Sequence, residues 1–90
     1  MYLHLGQSTV VRYDEIIGIF DLDATTVMKS TRDYLTKAEK SGEVINVSYE
    51  LPKSFVLCKA KNDAGQRVYI SQISSATLLK RVKNNELPDK

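Results

Sequence analysis

A chain of 90 residues and 10.2 kDa has room for one hydrophobic core, since dividing it would leave two pieces too small to offset chain entropy. Its 42% hydrophobic and 27% charged residues lie near the globular average and exclude wholesale disorder or a fibrous repeat. No apolar run nears the ~18 residues of a membrane-spanning helix, the N-terminus lacks a signal peptide's basic and apolar regions, and the net charge of +2 is too small to announce a nucleic-acid binder.

A soluble cytoplasmic protein is therefore expected. Along the chain, Tyr2 to Leu5 is a short β-compatible stretch closed by Gly6-Gln7-Ser8, and Thr9 to Tyr13 restarts with β-branched residues: a strand, a turn and a second strand. After Asp14-Glu15, the run Ile16-Ile17-Gly18-Ile19-Phe20 is too short for a buried helix and rich in β-branching, so it reads as a strand buried on at least one face. Asp23-Ala24-Thr25-Thr26 supplies N-cap residues, and Met28, Thr31, Leu35 and Ala38 follow on one helical stripe. Lys29, Arg32, Asp33, Lys37 and Lys40 fall off that stripe, and the helix is expected to end near Ser41-Gly42, where glycine takes the left-handed conformation.

Ile45, Val47 and Tyr49 alternate with Val44, Asn46 and Ser48, the period-two pattern of a strand. Leu51-Pro52-Lys53-Ser54 interrupts it, because proline cannot donate to a ladder, and Phe55 to Cys58 resumes as strand. Lys61-Asn62-Asp63-Ala64-Gly65-Gln66 predicts a hairpin turn, after which Arg67 to Ser71 pairs back. Ser74-Ser75-Ala76-Thr77 offers an N-cap ahead of Leu78, Leu79 and Val82, predicting a closing helix with Lys80, Arg81 and Lys83 in its last turns, where cations complement the helix dipole. Asn84 to Lys90, which holds Pro88, reads as a flexible tail. The expectation is a single α+β domain over residues 1–83: a small, mainly antiparallel sheet with one mid-chain helix and one C-terminal helix.

The residues that carry chemistry are sparse. The single imidazole, His4, and the single thiol, Cys58, each sit inside a predicted strand, and Ser74-Ser75 has no base nearby in sequence, so no enzyme and no small-molecule substrate are expected. One cysteine excludes an intrachain disulfide, and with His4 far from it there is no Cys/His cluster for zinc. No glycine-rich phosphate cradle is present, and Asp14, Glu15, Asp21 and Asp23 lack the loop spacing of a calcium motif, so neither cofactor nor metal is expected. Without disulfide or metal, small size is offset by packing or by oligomerisation.

Charge is unevenly distributed. Residues 1–45 carry five bases against seven acids, a net −2, whereas residues 53–83 carry seven bases against Asp63 alone, a net +6. Two readings of the basic set stay open: a phosphate-facing surface, or long cations on the solvated faces of strands and a helix. Aromatic stacking platforms are few, with five Tyr, two Phe and no Trp.

Four blocks resemble a known group: Met1-Tyr2-Leu3-His4-Leu5-Gly6, Ile16-Ile17-Gly18-Ile19-Phe20-Asp21-Leu22, Pro52-Lys53-Ser54, and the run from Tyr69 through Ser74-Ser75-Ala76-Thr77 to Arg81. They are similar to the Rem-type extracellular-matrix (biofilm) regulators of Firmicutes, and within these to the RemB (YaaB-like) branch. The resemblance implies a cytoplasmic bacterial regulator of matrix-gene transcription. It also implies a fold similar to the LytTR DNA-binding domain and assembly into homo-oligomeric rings that bind duplex DNA around the rim. Where the RemA branch carries arginines, this chain has Glu15, Leu51 and Pro52, so no DNA-contacting residue carries over from the family. Charge alone nominates Lys53, Arg67, Lys80 and Arg81, with Arg12 as an additional contact. The alternative is an oligomeric protein-interaction scaffold that has lost the DNA rim.

Overall fold

The computed structural model describes residues 1–25, 28–48, 50–60 and 65–86, with the side chains of 25, 85 and 86 left aside. Strands β1 (Tyr2–Gly6) and β2 (Thr9–Arg12) form a hairpin, followed by a 3-10 turn over Tyr13–Glu15 and strand β3 (Ile16–Asp21). Helices α1 (Leu22–Thr25) and α2 (Lys29–Lys40) lead to β4 (Val44–Asn46), then β5 (Ser54–Lys59), β6 (Gln66–Ser71) and α3 (Ser75–Glu86). The main sheet has the order β3-β5-β6-β4, antiparallel except for the β4–β6 pair. This is the expected α+β class.

The sheet is covered on both faces, and strand alternation sorts the core accordingly. Val56, Cys58 and Tyr69 point to one face, where Leu3, Leu5 and Val11 of the hairpin and Leu78 of α3 close over them. Phe55 and Val68, with Leu57 and Ile70, point to the other, against Ala38, Leu35 and Tyr34 of α2. Tyr34 completes that layer by donating its hydroxyl to Gln66 Oε1 at 2.6 Å.

Two buried serines tie the hairpin and the β6–α3 connection to the sheet. Ser54 and Ser71 lie opposite each other at the end of β5 and β6 and are almost wholly buried. The Ser54 hydroxyl donates to the Ile73 carbonyl and the Ser71 hydroxyl to the Leu5 carbonyl, both at 2.7 Å, while Ser71 Oγ also accepts from the Ile73 N–H. Both buried hydroxyls are thereby bonded, as burial requires, while the nearby Gln72 Oε1 is buried without a partner. Next to this tie the chain turns at Gly6 (φ +121°), where an added Cβ would lie 2.9 Å from Gln72 Oε1.

α2 ends as its glycine foretold. Gly42 (φ +75°) donates to the Glu39 carbonyl and Glu43 donates to the Ala38 carbonyl, the paired bonds of a Schellman stop. α3 starts on Ser74, whose Oγ accepts from the Thr77 N–H at 3.2 Å.

Four local expectations need correction. The N-cap expected for α2 among Asp23 to Thr26 is not there: Met28 holds that position with no side-chain bond and is 56% exposed rather than buried on the stripe, while Asp23 to Thr25 fall in the short helix α1, which Asp21 caps, its Oδ1 accepting from the Ala24 N–H at 2.9 Å. β4 is only three residues long and runs parallel to β6; Val44 packs inward while Ile45 is partly exposed, and Tyr49 lies outside the described residues. α3 continues through Glu86, three residues past the boundary expected at 83, so Asn84 is helical. Residues 61–64 of the predicted hairpin turn and 87–90 of the tail lie outside the described residues.

Candidate nucleic-acid interface

The nominated cations divide among separate parts of the surface. Arg12, at the end of β2, faces Tyr2 across the hairpin and grips Asp14 with both arms of its guanidinium, Nε to Oδ1 at 3.1 Å and Nη2 to Oδ2 at 2.8 Å. That hydrogen bond holds the Asp14 carboxyl below its usual range and raises Arg12 further. Arg12 therefore meets any anion with a counter-ion already in place.

Arg67 is exposed on β6, opposite Cys58, and the charges of both Glu15 and Arg67 reach that thiol. Lys53 sits at the other end of the same strand pair. Its backbone is fixed on both sides, its N–H donating to Ser71 at 2.8 Å and its carbonyl accepting from Leu22 at 3.0 Å, while its side chain is exposed. Strand geometry puts Lys53 and Arg67 on the order of 15 Å apart.

α3 gathers the rest. With Leu78 buried and Val82 turned inward, helical spacing sends Lys80 and Lys83 to the solvated side, and both are exposed. Arg81 is half-buried and reaches the hairpin, where its Nη1 donates to the His4 carbonyl at 3.0 Å. Tyr2, opposite Arg12, lines one cleft with Arg81. Arg12, Lys80 and Arg81 thus belong to the hairpin-and-α3 side of the molecule; Arg67, paired with Cys58 and in step with Tyr69, is on the same face of the sheet at the start of β6, whereas Lys53 lies at the opposite end of the strand pair.

A second basic surface escaped the charge count. On α2, Lys29, Arg32, Lys37 and Lys40 are all exposed, with Asp33 and Glu39 among them, and Lys29 pairs with Asp33 at 2.9 Å. Summing charge over residues 1–45 hid this face behind acids on other elements. Helical periodicity applied to the charges instead of the apolar residues is the signal that finds it.

Among the described residues no three His, Cys, Asp or Glu side chains cluster as a metal site would require, and Asp21 is engaged as a cap. Burial pushes the Cys58 thiol up to about 11, which keeps it protonated. No helix among the described residues is long and apolar enough to cross a membrane. Glu15 ends the 3-10 turn, and Leu51, 80% exposed, and Pro52 stand on the surface before β5.

Comparison with known proteins gives this surface its context. The sequence model of the RemA-like family, described as extracellular matrix regulatory protein A-like, matches residues 2–82. The chain is similar to extracellular matrix regulatory protein B of Bacillus subtilis (strain 168), 37% identical over 83 residues that span 92% of this chain and 91% of that protein. The matched segment runs from the first residue of β1 to the inward-facing Val82 of α3, taking in the hairpin, the whole sheet and the helix that carries Lys80 and Arg81. The chain belongs to the RemA-like family of extracellular matrix regulatory proteins.

Proposed function

We propose that this matrix regulator acts in the cytoplasm as a non-enzymatic transcriptional regulator of biofilm genes, binding duplex DNA through its phosphates as a homo-oligomeric ring. The observation that carries the reading is the solvated face of α3: Lys80 and Lys83 stand exposed with no ion pair among the described residues, beside Arg81. Lysines so placed supply phosphate contacts, which position a protein on DNA without reading its sequence.

Magnitude argues for assembly. Each neutralised phosphate adds about 0.9 to the slope of log K against log salt, so two or three contacts on one subunit bind weakly. Repetition around a closed ring multiplies them into avidity. The sheet supports repetition, because among the described residues its outer strands β3 and β4 each pair with one neighbour, leaving an edge on either side of the sheet suited to head-to-tail contact. Lys53 and Arg67, at the two ends of the strand pair, are secondary contacts, and Arg12 contributes less than its charge suggests because Asp14 neutralises it.

Fluorescence titration of a labelled duplex across salt concentrations tests the reading. The expected result is binding at low salt that weakens linearly on a log–log plot, with the Lys80→Glu and Lys83→Glu double variant flattening the slope. A stable oligomer with no duplex affinity at low salt would overturn it in favour of the interaction scaffold, to which exposed Leu51 would then point.

A further inference from the structure

We propose that the cleft between β1 and α3 is a binding site for a single phosphate group, with Arg81 as its principal ligand. The cleft, open to solvent, has a volume of about 370 Å³ and is lined by Tyr2, Leu3, His4, Arg81 and Asn84, with no carboxylate among the described residues. Arg81 is positioned from both ends. Its guanidinium donates one bond to the His4 carbonyl, and its own carbonyl receives the Tyr13 hydroxyl at 3.5 Å.

A guanidinium carries five N–H donors in a fixed fork. One of Arg81's is engaged by His4, no carboxylate lies within ion-pair distance of it among the described residues, and the side chain is half-buried. Arg12, its neighbour across Tyr2, shows the contrary arrangement, with both arms on Asp14. A partly buried cation with donors to spare, in a hollow with no acid among the described residues, favours a tetrahedral oxyanion that accepts two N–H bonds at once. Asn84 and Tyr2 border the hollow with an amide and a hydroxyl able to donate to the remaining oxygens. The His4 ring serves a different end, its Nε2 lying 2.7 Å from the Gln7 carbonyl and so holding the turn. Lys80 and Lys83, exposed on the same helix, raise the local positive potential.

The phosphate has two possible sources, a DNA backbone diester or a free phosphate ester, and the chemistry of the site is common to both. In its DNA form the proposal rests on the function proposed above; in its free-ester form it stands alone. The chain has four arginines, so the four side-chain Nε–H signals in an NMR titration of the intact protein provide one reporter and three controls. Inorganic phosphate, against sodium chloride at matched ionic strength, is expected to shift the Arg81 signal saturably while leaving those of Arg12, Arg32 and Arg67 in place. Asn84→Asp keeps Arg81 and its tie to His4 but puts a carboxylate in the hollow; it is expected to weaken phosphate binding on the order of tenfold or more, the scale of one lost charge-assisted bond. Arg81→Lys, which keeps the charge and loses the fork, is expected to do the same.

A duplex titration then separates the sources. If Asn84→Asp also lowers the salt slope, the bound group is a DNA phosphate; if the wild-type protein takes inorganic phosphate at Arg81 while the duplex slope is unchanged by Asn84→Asp, or no duplex binds, the group belongs to a free ester. An Arg81 signal that does not move, moves no more than the three controls, or responds equally in the Asn84→Asp variant would overturn the proposal.

Discussion

Between Glu15 and Arg67 the Cys58 thiol is 1% exposed, and burial, reinforced by Glu15, pushes it up to about 11. The native protein therefore holds a proton that the unfolded chain releases from about pH 9, so stability falls as pH rises from about 9 to 11 and is unaffected below that window. The same burial predicts that iodoacetamide labels Cys58 only at the rate of unfolding at pH 8; labelling as fast as a free thiol would contradict the burial. Ser71 offers a second test at this scale. Ser71→Ala leaves the Leu5 carbonyl and the Ile73 N–H without their partner and is expected to cost about 1–3 kcal/mol in a denaturant melt. Such long-range ties were not legible in the sequence, since Ser71 meets Leu5 and Arg81 meets His4 from the far end of the chain. Arg12 with Asp14, two residues apart, was legible in principle; scoring charges by sign alone passed over it.

At the level of elements, local chemistry was readable wherever it was self-contained. Thr31, Leu35 and Ala38 turn to the sheet as their spacing requires, Gly42 stops α2, and Ser74 starts α3. Gly42→Ala, at φ +75° with open space around the Cβ, isolates the backbone cost and is expected to destabilise by about 1 kcal/mol; an unchanged melting temperature would refute the left-handed stop. β4 was harder, because its parallel partner β6 arrives twenty or more residues later and only the tertiary pairing decides which of Val44 and Ile45 faces the core. The basic face of α2 was present in the residues and concealed by the way charge was summed. Its position matters, for α2 covers the sheet face opposite to the hairpin and α3, so the subunit presents cations on two sides.

For the whole molecule, family and fold class were within reach of the sequence, since the blocks that suggested them are contiguous and the matched region covers β1 to α3. The site was legible only in part. Lys80 and Arg81 lie together with Arg12 on the hairpin-and-α3 side, and Arg67 shares that face of the sheet at the start of β6, whereas Lys53 stands at the other end of the strand pair. Surface position, rather than residue type, therefore ranks the expected effects: Lys80→Glu should reduce duplex affinity more than Lys53→Glu or Arg67→Glu, with no change in melting temperature. The opposite ranking in parallel titrations would move the interface to the sheet ends. Among the described residues β3 and β4 are the outermost strands of the sheet, and the proposed self-assembly would run through these edges. The central claim, an oligomer that holds DNA by its phosphates, is tested most directly by measuring duplex affinity against salt on samples whose mass is determined by light scattering. The account predicts a mass of several subunits and a log–log slope of at least about 2; a monomer, or a duplex affinity that does not change with salt, would contradict it.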